Sequence, residues 1–79
     1  MNPSATVTFI LDEAQEVTLK IYNSYGRLIH TLYDKAPMRP GYHELQLYGD
    51  VFPESECYAR LHTRSGVQQR SLVLKNNHP

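Results

Sequence analysis

Apolar and polar residues alternate one by one along most of this chain. Across residues 6–11 the apolar side chains Val7, Phe9 and Leu11 share one parity. Across residues 17–22 the odd positions are Val17, Leu19 and Ile21, while the even ones are Thr18, Lys20 and Tyr22. A period of two places successive side chains on opposite faces of a strand, whereas a helix would mix the two sets. The same alternation recurs over residues 27–32, 42–48, 57–63 and 68–74. In the fourth run His43, Leu45 and Leu47 share a side. Nothing keeps helical period over two turns.

The breaks are turn chemistry. Asn23-Ser24-Tyr25-Gly26 separates two alternating runs and puts glycine where a type I turn followed by a left-handed bulge residue needs positive φ. It predicts a hairpin bend rather than a phosphate loop, because a strand and not a helix follows it. Residues 34–40 are expected to form a loop, since Pro37 and Pro40 cannot donate to a ladder. Residues 12–16 and 49–55 read as further connections. Ser65-Gly66 is the expected tip of a last hairpin, with Ala59 facing Leu72 and Cys57 facing Leu74. Six or seven short strands joined this way predict an all-β fold, a small antiparallel β-sandwich, in one domain over residues 1–79 whose last residues, 75–79, fray.

With 79 residues the core must be thin, because a chain of this size removes only about 60% of its extended surface from water. Eight basic residues balance eight acidic ones, so no overall field draws in nucleic acid. No apolar run approaches the roughly 18 residues of a membrane span, and no secretory leader opens the chain. The single cysteine, Cys57, cannot form an internal disulfide and is expected to be buried like a small apolar residue. His30, His43, His62 and His78 fall on separate strands and the tail without metal-ligand spacing. Neither a catalytic triad nor a cofactor fingerprint is readable, so the expectation is a protein that is not an enzyme and takes no cofactor or metal.

One concentrated basic stripe does stand out. Tyr58, Arg60, His62 and Arg64 share a parity, with Gln69 and Ser71 expected to flank them. The plain reading is a solvated sheet face; the functional one is a docking strip for an acidic partner or a polysaccharide, using Arg forks and an aromatic plane. The last strand is expected to be a sheet edge. Arg70 and Lys75 either guard that edge or help present it to another chain by strand addition.

The order of these features resembles a known family. Asn2-Pro3, Leu11-Asp12-Glu13-Ala14, the run Val17 to Tyr22, Gly26-Arg27, Thr31-Leu32, Gly41-Tyr42-His43, Ser55 with Tyr58, and Arg70 to Lys75 follow its pattern. The chain looks like a FlgD-type immunoglobulin-like domain and the related C-terminal sorting domain of type IX secretion cargo. It departs at Leu47, where FlgD-like members often carry Trp, at Glu56, where Gly is usual, and in the tail 76–79. The resemblance implies an immunoglobulin-like sandwich serving as a C-terminal sorting or adaptor module of a larger secreted or surface bacterial protein. Its implied partners are export machinery or parent-protein domains, and it would be a monomer or a weak edge-paired dimer. The alternatives are a structural assembly domain of hook-capping type and an accessory carbohydrate-binding module of a secreted hydrolase.

Overall fold

The computed structural model describes residues 4–48 and 56–73. Six strands follow one another: β1 (Ser4–Leu11), β2 (Gln15–Asn23), β3 (Leu28–Met38), β4 (Gly41–Tyr48), β5 (Glu56–Thr63) and β6 (Gly66–Val73). β1 and β4 pair antiparallel as one sheet, and the other four form a second antiparallel sheet in the order β3-β2-β5-β6. The two sheets share one apolar core, which makes the molecule a small antiparallel β-sandwich.

The core follows the alternation. Val7, Phe9 and Leu11 from β1 meet Val17, Leu19 and Ile21 from β2, and Leu47, Cys57, Ala59, Leu61 and Leu72 complete the cluster. Val17, Leu19 and Ile21 are 0% exposed because β2 is an inner strand, covered on one face by the smaller sheet and flanked by β3 and β5. Phe9 stacks on its cross-strand partner His43, with ring centroids 5.1 Å apart. The His43 Nε2 lies 2.7 Å from the Arg39 carbonyl. A carbonyl can only accept, so that nitrogen carries the proton.

The β2–β3 bend forms as expected. Gly26 sits at φ 83°, its amide donates to the Asn23 carbonyl at 3.0 Å, and the Asn23 amide donates to the Arg27 carbonyl at 2.9 Å. Asn23 Oδ1 adds to this by accepting from the Tyr25 and Arg27 amides, both at 2.9 Å.

Three expectations are corrected. First, residues 34–38 are not loop, because β3 continues to Met38 and Pro37 stands opposite Glu16. The Asn23 amide points at β3, so strand alternation leaves the residues paired with even positions of β2 facing outward, where proline forfeits no ladder bond. Second, Gln15 belongs to β2 and to its inward row, and is 8% exposed. Third, Thr63 pairs with Gly66, so Arg64-Ser65 is the tip of the last hairpin; Cys57 faces Leu72 and Ala59 faces Arg70. The shift preserves parity, and Leu72 therefore stays in the core. The expected positions of Leu74, of the connection 49–55 and of Lys75 lie outside the described residues.

Candidate functional site

The stripe foreseen on β5 divides. Tyr58, Arg60 and His62 remain on the outer face of the four-stranded sheet, where β2 sets Tyr22, Lys20 and Thr18 directly opposite them. On the other side β6 contributes Ser71, Gln69 and Val67. Arg64 leaves the row. It lies in the turn, its amide donates to Gln15 Oε1 at 2.7 Å, and its guanidinium pairs with Glu13. Arg70 belongs to the opposite face, because its partner Ala59 points into the core.

Arg60 is held in place on the outer face. Its Nε and Nη2 donate to Gln69 Oε1 at 3.2 and 3.1 Å, and its guanidinium carbon lies 4.9 Å from the centre of the Tyr22 ring. Beside it is a shallow depression of about 320 Å³ lined by Tyr22, Asn23, Tyr25, Tyr58, Arg60 and Gln69. Tyr25 projects from the bend and is 89% exposed. Tyr58 is half-buried and its phenol bonds to no described residue, so its place is set by packing between Tyr22 and Ser71.

On the core side, the two-stranded sheet is too narrow to cover the four-stranded one. A cleft of about 350 Å³ opens between β1 and β6, bordered by Phe9, Leu11 and Leu61 below and by Gln68, Arg70 and the exposed Ile10 around its rim. Arg70 spans it, donating from Nη1 to the Thr8 carbonyl and from Nη2 to Gln68 Oε1 at 3.2 Å. An inward-pointing charge at the margin of a sandwich is one of the ways sheets discourage unwanted pairing.

The two edges of the larger sheet differ. β3 pairs with β2 through three register shifts, and Lys35, the only non-glycine residue at positive φ among the described residues (51°), sits at one of them. Its amide is taken instead by Thr18 Oγ1 at 3.1 Å. Bulges and Pro37 make this edge irregular. β6 keeps one register from Gly66 to Val73. A two-residue turn makes Thr63 and Gly66 the hydrogen-bonded closing pair, so Val67, Gln69 and Ser71 turn their amides and carbonyls out of the sheet.

The remaining polar chemistry is local. The Tyr42 phenol donates to Glu44 Oε2 at 2.9 Å, and this bond to a carboxylate raises its pKa above the ordinary tyrosine value. His30 pairs with Ile21 on β3, His43 lies on β4 and His62 on β5, and among the described residues no three His, Cys, Asp or Glu side chains converge on a metal position. Sequence reasoning missed Gln15, Lys20 opposite Arg60, and the Arg60–Gln69 lock. The parity of position 15 carried the first signal, while the others need strand partners. Scans against protein-family models, curated proteins and solved structures return no match.

Proposed function

We propose that this domain is a non-catalytic recognition module of a larger secreted or surface protein, read by export or assembly machinery through its last hairpin and C-terminal strand. The observation that carries this reading is the contrast between the edges: β3 is bulged and interrupted by proline, while β6 runs straight with outward main-chain groups. A strand laid beside β6 would hydrogen-bond to Val67, Gln69 and Ser71 and turn alternate side chains toward the apolar floor of the neighbouring cleft. Arg70 at the rim would select against strands that bring a cation or a bulky apolar residue opposite it.

The test is export. The full chain is fused behind a periplasm-directed reporter in a type IX-competent bacterium, beside the same fusion carrying Ser71→Pro. That substitution removes an outward amide and no ladder bond, so the domain should stay folded by circular dichroism. Reporter at the surface or in the medium for the native chain, and periplasmic retention of Ser71→Pro, is the expected result. Equal export of both would remove β6 as the recognised element, and retention of both would remove the sorting role.

A further inference from the structure

Lys20 and Arg60 stand directly opposite each other on the two central strands, and no described carboxylate lies within ion-pair distance of either. Like charges in this position repel and lower the stability of the sheet. The closest acid of the same parity on β2 is Glu16, four residues away and so roughly 13 Å along the strand. With no ion pair to either among the described residues, the two form a positive site at the middle of a sheet face.

Arg60 is also oriented to receive an anion. Gln69 occupies the Nε–Nη2 side of its guanidinium and the Tyr22 ring supports its plane, so the Nη1–Nη2 fork has no partner among the described residues. That fork matches the paired oxygens of a carboxylate or sulfate, and its orientation is already set before anything binds. Next to it, Tyr58 and Tyr25 border the depression with flat apolar surface.

We infer that this face binds an acidic polysaccharide, with a carboxylate or sulfate held between Arg60 and Lys20 and a sugar ring laid on the adjoining tyrosines. A polysaccharide fits better than an acidic peptide. β2 and β5 each have neighbours on both sides, so the face offers an extended peptide no free main-chain groups, and only the sheet edges do. A pyranose needs none, since it presents an apolar ring face and equatorial polar groups. Gln69 is shared with the β6 edge, but the face uses its side chain and the edge only its main-chain groups.

The full chain, isotope-labelled for NMR, is titrated with oligogalacturonate as the carboxylate source and a heparin-derived oligosaccharide as the sulfate source, alongside neutral dextran and poly-glutamate. Saturable shifts at Lys20, Tyr22, Tyr58, Arg60 and Gln69 with at least one acidic glycan are expected, and the better of the two identifies the anion. Arg60→Gln should weaken binding about tenfold or more, the loss of a charge-assisted fork. Arg39→Gln, on the β3–β4 corner, should leave it unchanged. Failure of both acidic glycans to saturate would overturn the proposal, as would equal binding of dextran or an equal loss from Arg39→Gln. Poly-glutamate binding as tightly at the same residues would replace the glycan with an acidic protein. Export reads the outward main chain of β6 and glycan titration the side chains of the outer face, so either can fail alone.

Discussion

Gln15 ends the inward row of β2, and both halves of its amide are used: Nε2 donates to the Glu13 carbonyl at 3.1 Å and Oε1 accepts from the Arg64 amide. It thereby ties the β1–β2 turn to the tip of the last hairpin, across the mouth of the sandwich. The Arg64–Glu13 ion pair joins the same two turns, yet both side chains are more than half exposed, and surface pairs of that kind contribute little. The buried amide is the stronger link. Gln15→Ala should destabilise the domain by about 1–3 kcal/mol, seen as a fall in Tm on the order of 10 °C, whereas Glu13→Gln should change it little. Position 15 shares the parity of Val17, Leu19 and Ile21, so its inward direction was readable in the chain. Its partner was not, because the Arg64 amide is 49 residues away and meets it only once the sheets have formed.

At the level of the element, β2 gathers the argument for both faces. Its inward side is the driest part of the core and its outward side carries Lys20 into the field of Arg60. Leu19→Asp buries a carboxylate without a partner and should abolish cooperative unfolding in a denaturant titration. Lys20→Asp should do the opposite: exchanging a like-charge cross-strand pair for an opposite one should raise stability by up to about 1 kcal/mol. The same variant should lose acidic-glycan binding, so that stability and recognition move in opposite directions. β3 shows where reading by element fails. Pro37 does argue against a strand with neighbours on both sides, but β3 has a neighbour on one side only, and edge position is a property of the sheet rather than of the segment.

For the molecule as a whole, the decisive feature is the mismatch between a two-stranded and a four-stranded sheet. It leaves β6 only partly covered by β1, opens the cleft and turns Arg70 into a bridge across it. Native-state hydrogen exchange checks this arrangement. Amides of β2 and β5 should exchange slowest, while Val67, Gln69 and Ser71 should exchange far faster than Gln68 and Arg70 between them. If the outward amides instead become protected as protein concentration rises, copies of the chain pair through that edge. The alternation of apolar residues was by itself sufficient for the all-β class, the inward faces of β1, β2, β4 and β5, and the bend at Gly26, because side-chain period and turn geometry are local properties of the backbone. Strand order, the edge position that admits Pro37, the one-residue displacement of the last turn, and the meeting of Lys20 with Arg60 were decided only by tertiary structure. Each depends on which strands become neighbours, and the distant contacts that choose them leave no local mark on the chain.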